Sequence, residues 1–135
     1  MTKYTISGIL SFTNDLPNDE ERVKCLRANP ILANVLRFSM DPNIKWLLPE
    51  GDPPYKPCED ANTEKRFMGE VRKLYLFVEG GNPNLKPLRR ETIFVEMLES
   101  IHPDDAKLLL QMKDQKLPYK KITTKLVREA YPGLF

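Results

Sequence analysis

The sequence predicts an all-α fold, a single compact domain of about six or seven helices with one proline-rich loop. Apolar residues recur at intervals of three and four along most of the 135 residues, and no sustained strand-like alternation competes with this pattern. Clusters of proline, glycine and asparagine divide the pattern into segments of helical length. Hydrophobic residues make up 41% and charged residues 30%, as in an ordinary globular protein, and the length fits one domain.

Three helices are predicted before the proline-rich loop. The first ends at Pro17, and Asn18 followed by Glu21 is typical of the start of the second, because a short polar side chain can cap the first turn. The third begins at Asn29-Pro30, since proline suits the first helical turn, and ends at Asp41-Pro42. The residues expected to face the core are Ile6, Ile9, Leu10, Thr13, Val23, Cys25, Leu26, Ile31, Leu32, Val35, Leu36 and Phe38.

The proline-rich segment at residues 48–57 is predicted to be an extended loop. It contains too many prolines for a helix or a central strand. The extended loop is expected to carry Trp46, just before this segment, and Tyr55 within it, and each has a lysine as its sequence neighbour. Aromatic and basic residues together favour contact with a nucleic acid or a protein partner. The alternative is that Trp46 and Leu47 pack into the core while the prolines stiffen the loop.

Four helices are predicted after the loop. One runs from near Thr63 to the stop at residues 80–83 (GGNP), and the next spans roughly residues 88–101. His102-Pro103 begins another, because proline and the following acids suit a first turn. Ile122-Thr123-Thr124 opens the last. The residues expected to face the core are Phe67, Val71, Leu74, Tyr75, Val78, Ile93, Phe94, Met97, Leu98, Ile101, Leu108, Leu109, Leu110, Met112, Leu126, Val127 and Ala130.

The sequence contains no recognisable catalytic or metal-binding motif. His102 is the one histidine, and its position before proline at a helix start is typical of a cap. Two cysteines provide no metal-ligand spacing, and Asp104-Asp105 are more typical of helix-dipole partners than of cation ligands. We therefore expect a non-enzymatic protein without a cofactor or metal. No secretory segment or membrane-length apolar run is present, so we expect a cytoplasmic protein, with no membrane partner.

Positive charge is concentrated near the C-terminal end. Residues 113–128 contain six lysines and arginines and one aspartate, whereas residues 1–61 contain seven basic and nine acidic residues. Clustered cations favour phosphate binding, and the alternative is a solvated helix face. Lysines and hydroxyls at a helix N-terminus are typical of an anion site. The predicted site comprises Lys116, Lys120, Lys121, Thr123, Thr124 and Lys125. Arg89 and Arg90 are further candidates because they follow Pro87 at a helix start with no obvious core to face.

Three segments of the chain resemble the N-terminal helical DNA-binding domain of ATP-dependent DNA ligases, especially those of bacteriophages. They are residues 36–46 (LRFSMDPNIKW), residues 93–116 and residues 123–134 (TTKLVREAYPGL). The resemblance implies a small phage protein that grips double-stranded DNA by its backbone across the minor groove. It does not imply ligation, since the ligase K-x-D-G motif is missing from the sequence. Lys120 and Lys121 stand in the turn where ligases often carry a glycine.

Two functional hypotheses follow from these patterns. The first is a non-enzymatic DNA-binding protein that contacts the duplex phosphate backbone without sequence specificity. The second is a protein-interaction factor that docks on a replication, repair, transcription or host protein through the loop between Trp46 and Tyr55. The modest net charge of +2 favours the second hypothesis, whereas the clustered lysines favour the first.

Overall fold

Seven α-helices and one 3-10 helix make up the computed structural model, which describes residues 5–60 and 62–135. The α-helices are α1 (Ile6–Asn14), α2 (Asp19–Arg27), α3 (Ile31–Met40), α4 (Arg66–Glu70), α5 (Pro87–Ser100), α6 (Pro103–Lys113) and α7 (Thr124–Ala130). The 3-10 helix (Val71–Phe77) continues directly from α4. The predicted all-α class is confirmed, and the proline-rich segment between α3 and α4 forms no helix.

Short polar side chains begin the helices where the sequence predicts them. The Asn18 side chain accepts the Glu21 N–H at 2.9 Å, and His102 Nδ1 accepts the Asp104 N–H at 3.1 Å. Thr123 Oγ1 likewise accepts the Leu126 N–H at 3.2 Å. Each of these bonds satisfies a first-turn N–H group that has no partner within the helix. Local signals therefore fix the starts of α2, α6 and α7.

Helix α6 lies at the centre of the domain. It packs against α1, α3 and α5, while α7 packs against α2 and α3. A helix enclosed on several sides needs apolar residues around most of its circumference. The sequence of α6 meets this need with buried side chains at Ala106, Leu108, Leu109, Leu110 and Met112.

The helix predicted from near Thr63 is shorter and tighter than the sequence pattern indicates. Only α4 is α-helical, and the chain continues as a 3-10 helix in which Val71, Leu74 and Phe77 are buried. A 3-10 helix has three residues per turn, so residues spaced by three align on one face. Tyr75 is therefore 46% exposed, and the expectation that it faces the core is wrong.

A short antiparallel pairing joins the proline-rich loop to the end of the 3-10 helix. The Leu47 N–H donates to Phe77 O and the Glu79 N–H donates to Lys45 O, both at 2.8 Å. Trp46 and Val78 face each other across this pairing. Residues 46–55, called the proline strap below, are thus attached to the core at their first residue.

Candidate nucleic-acid interface

Residues 115–125, which comprise the segment between α6 and α7 and the first two residues of α7, are called the basic turn below. It starts at Gln115, whose φ of 54° ends α6, and the Gln115 side-chain amide donates to Ile44 O at 3.3 Å. Tyr119 Oη lies 3.4 Å from Ser7 Oγ, and the Lys121 N–H donates to the Asn14 side chain at 2.9 Å. Ile122 is buried in the core. Contacts with α1 and with the segment after α3 therefore hold the basic turn in place.

Three lysines of the basic turn are exposed and free of internal charge pairing. Lys120, Lys121 and Lys125 are all exposed, and none forms an ion pair within residues 5–60 and 62–135. No acidic residue lies between positions 115 and 128. An exposed ammonium group without a carboxylate partner is available to an external anion. The basic turn thus presents three uncompensated positive charges on an anchored segment.

Lys116 differs from the other lysines because its charge has an internal partner. Its Nζ lies 2.9 Å from Glu50 Oε1 of the proline strap. The hydrogen bond and the charge of Glu50 raise the pKa of the Lys116 ammonium group above its ordinary value. An anion at Lys116 would have to compete with Glu50.

The two threonines of the predicted site have different surroundings. Thr123 is exposed, and its hydroxyl oxygen is used to cap α7. Thr124 is half-buried and lines a shallow groove with Ser39 and Gln115. Because α7 has only seven residues and one of its first-turn N–H groups is already capped, its N-terminus adds little to the field of the lysines.

The two arginines at the start of α5 have different surroundings. Arg90 is only 7% exposed, and its guanidinium donates to Leu76 O at 3.2 Å and to Leu85 O at 3.0 Å. The expectation that Arg90 has no core to face is therefore wrong, because its guanidinium is held by one carbonyl near the end of the 3-10 helix and by another in the turn before α5. Arg89 is exposed and lies 3.9 Å from Glu96. Neither arginine belongs to the basic turn.

Trp46 is half-buried and packs against the core of the domain. Its indole N–H donates to Phe38 O at 2.9 Å, and its ring stacks on Phe77 with centroids 6.3 Å apart. This agrees with the interpretation that Trp46 packs into the core. The same interpretation is wrong for Leu47, which is 37% exposed because the side chains of neighbouring extended residues point to opposite sides. Tyr55 is also half-buried against the core. Burial and then the charge of Asp52 raise the pKa of the Tyr55 hydroxyl.

Lys113 is buried, although its positive charge would suggest a place on the exposed basic face. The Lys113 side chain is 1% exposed, and its ammonium donates to Pro49 O and Gly51 O, each at 2.9 Å, and to Asp114. Lys113 therefore holds the proline strap and is not part of an exposed basic face. A lysine among the apolar residues at the end of α6 is the one sequence signal that could have suggested this role.

Asp105 is a buried carboxyl that the sequence pattern assigns to the dipole of its own helix. Asp105 belongs to α6, but its carboxylate lies at the start of α1, where Oδ1 accepts the Ser7 N–H at 2.8 Å. Its other oxygen has no hydrogen-bond partner among the described residues, and the residue is 0% exposed. Burial raises the pKa of Asp105 to about 6, although the Ser7 and Ile6 N–H groups and the nearby His102 oppose this change.

Residues 5–60 and 62–135 contain no group of three or more histidine, cysteine, aspartate and glutamate side chains arranged to hold a metal ion. No helix in this part of the chain is both long and apolar enough to cross a membrane. Cys25 and Cys58 are free thiols.

Comparison with known proteins identifies a family for most of the chain. No curated protein and no solved structure matches the chain. A family model matches residues 9–119, which extend from α1 through the proline strap to the first half of the basic turn. By this match the chain belongs to a family of unknown function, DUF6433.

Proposed function

We propose that the chain is a non-enzymatic DNA-binding protein that holds the phosphate backbone of a duplex without sequence specificity. The observation that carries this proposal is the trio Lys120, Lys121 and Lys125, which are exposed, uncompensated and mounted on one anchored turn. Each lysine that neutralises a phosphate releases condensed counterions, and this release drives binding. Because the backbone of the turn is already fixed, less conformational freedom is lost on binding.

The remaining candidate residues have subordinate roles in this proposal. Thr123 and Thr124 offer hydroxyl groups beside the lysines, and Lys116 joins the surface when a phosphate displaces Glu50. The resemblance to ligase DNA-binding domains supports the same segment. The family match ends at residue 119, so it provides no argument about the three lysines.

Fluorescence anisotropy of a labelled duplex, titrated with the protein at several salt concentrations, tests the proposal. Three phosphate contacts predict a slope of about −2.7 in log affinity against log salt, or a loss of roughly 40-fold between about 50 and 200 mM. A second duplex of unrelated sequence should bind with the same affinity, since phosphate contacts do not read bases.

A triple variant, Lys120→Ala/Lys121→Ala/Lys125→Ala, should lose most of this salt-sensitive binding. The matched control replaces Lys56, Lys86 and Lys107 with alanine, because these are also exposed and form no ion pair among the described residues. Both variants lose three positive charges, so a difference between their DNA affinities reflects where the lysines lie and not the net charge of the protein. Equal affinities of the two variants, or no binding by the parent protein at low salt, would refute the proposal.

A further inference from the structure

A cleft of about 400 Å³ lies between the proline strap and α5. Its lining is mainly apolar, with Leu48 and Pro53 on the strap side and Phe94 and Val95 on the α5 side. This size and lining are typical of sites that receive apolar groups.

The walls of the cleft are held in position by polar bonds. The Lys113 ammonium binds two strap carbonyls, Pro49 O and Gly51 O. Directly after the strap, the Lys56 N–H donates to Glu99 Oε2 of α5 at 2.7 Å. The strap is thus fixed to α6 along its length and to α5 at its end. A cleft that is already formed costs little conformational entropy when a ligand enters it.

The charge around the cleft is negative. Lys113 lines it, but Asp114 neutralises its ammonium and the strap carbonyls enclose it. Asp52 and Glu91 also line the cleft, and both are exposed without an ion pair within the described parts of the chain. These two carboxylates are called the acidic rim below. A ligand that complements the acidic rim carries a positive charge beside its apolar group.

The apolar surface extends beyond the cleft along α5. Leu88 is 75% exposed, and it lies three residues before Glu91 and seven before Val95. Residues with this spacing share one face of an α-helix. The cleft has room for one or two side chains, and Leu88 offers a further apolar contact about one turn away. An extended ligand fits this arrangement better than a single small molecule.

From these observations we propose that the cleft between the proline strap and α5 binds a protein segment in which large apolar side chains alternate with lysine or arginine. The apolar side chains enter the cleft and cover Leu88, while the cations pair with Asp52 and Glu91. The phosphates of a nucleic acid would be repelled by these carboxylates, so this surface is separate from the one proposed for DNA. The inference is independent of the DNA-binding proposal.

The probe for this site is a short synthetic peptide of alternating leucine and lysine, titrated into the ¹⁵N-labelled protein. Saturable changes in amide chemical shift are expected at Gly51, Asp52, Glu91 and Val95. Two control peptides carry glutamate in place of lysine or serine in place of leucine, and neither should bind. Shifts that map outside the cleft, no saturable shift, or equal binding of the glutamate peptide would overturn the proposal.

Two variants, each of which replaces two carboxylates by amides, make the test specific to the acidic rim. Asp52→Asn/Glu91→Gln should weaken binding of the leucine–lysine peptide about fivefold or more, since two partly exposed ion pairs are lost. The matched control, Glu20→Gln/Glu21→Gln, removes two exposed carboxylates from α2 and should bind like the parent protein. Equal affinity of the two variants would contradict the assignment. Retained DNA affinity in the Asp52/Glu91 variant would show that the two surfaces act separately.

Discussion

The ionisation of Asp105 is expected to make the protein less stable at neutral pH than at mildly acidic pH. Its carboxyl is 0% exposed, one oxygen has no partner among the described residues, and burial raises its pKa from 3.8 to about 6. The folded protein therefore holds this proton more tightly than the unfolded chain does. The contribution of Asp105 to stability is fully present below about pH 4 and is lost as the pH rises through about 6.

The structure sets the magnitude of this effect. A pKa difference of about two units corresponds to about 3 kcal/mol, of which about 2 kcal/mol falls between about pH 4 and pH 7. Asp105→Asn retains an oxygen for the Ser7 N–H but does not ionise. The new amide also leaves N–H donors unpaired, at a cost of about 1–3 kcal/mol, but this cost is the same at both pH values.

Urea unfolding followed by the fluorescence of the single tryptophan, Trp46, is a suitable assay. The free energy of unfolding of Asp105→Asn, minus that of the parent protein, should be about 2 kcal/mol higher at about pH 7 than at about pH 4. Asp104→Asn is the matched control, and its relative stability should change much less because that side chain is 46% exposed to water. Parallel pH profiles of Asp105→Asn and the parent protein would refute the reasoning.

Two further predictions concern stability alone. Lys113→Met keeps most of the apolar stem but removes the ammonium that binds two strap carbonyls, so we expect the free energy of unfolding in urea to fall by about 3 kcal/mol. The exposed Lys107→Met on the same helix should change it by less than about 0.5 kcal/mol, and equal effects would contradict the role of Lys113. A Cβ at Gly81 would lie 1.8 Å from Tyr75 O, so Gly81→Ala should lower the thermal midpoint and cost about 2 kcal/mol or more. As a control, Gly69→Ala places its methyl group in open space in α4 and should raise the free energy of unfolding by up to about 1 kcal/mol. If Gly81→Ala is as stable as the parent protein, the turn can relax and the prediction is wrong.

The helix boundaries could be predicted because their signals are local. Asn18, His102 and Thr123 each cap a helix by a bond to an N–H two or three residues away. Such bonds depend on a few adjacent residues and hardly on the rest of the fold. The 3-10 helix could not be predicted in this way, because its apolar residues also fit an α-helical period and packing decides between the two.

The roles of the charged residues depend on contacts between distant parts of the chain. Lys113 binds carbonyls more than sixty residues away, and Lys116 pairs with Glu50 at a similar separation. Arg90 is buried because carbonyls at Leu76 and Leu85 come within reach of its guanidinium. A linear count of positive charge cannot distinguish such residues from lysines that remain free. The sequence therefore identifies the basic turn as a positively charged segment, but it does not show which of its cations are already paired.

The two proposed surfaces share α6 as their support. This helix has eleven residues, a length of roughly 16 Å, and carries a buried ionisable group near each end. Near its start, Asp105 holds α1, which in turn holds the basic turn through Asn14. At its end, Lys113 holds the proline strap that forms one wall of the cleft. A fully apolar α6 would leave both surface segments without this polar attachment. The two buried ionisable groups are therefore best understood as the groups that position the surfaces, and the hydrogen bonds that they form offset part of the cost of their desolvation.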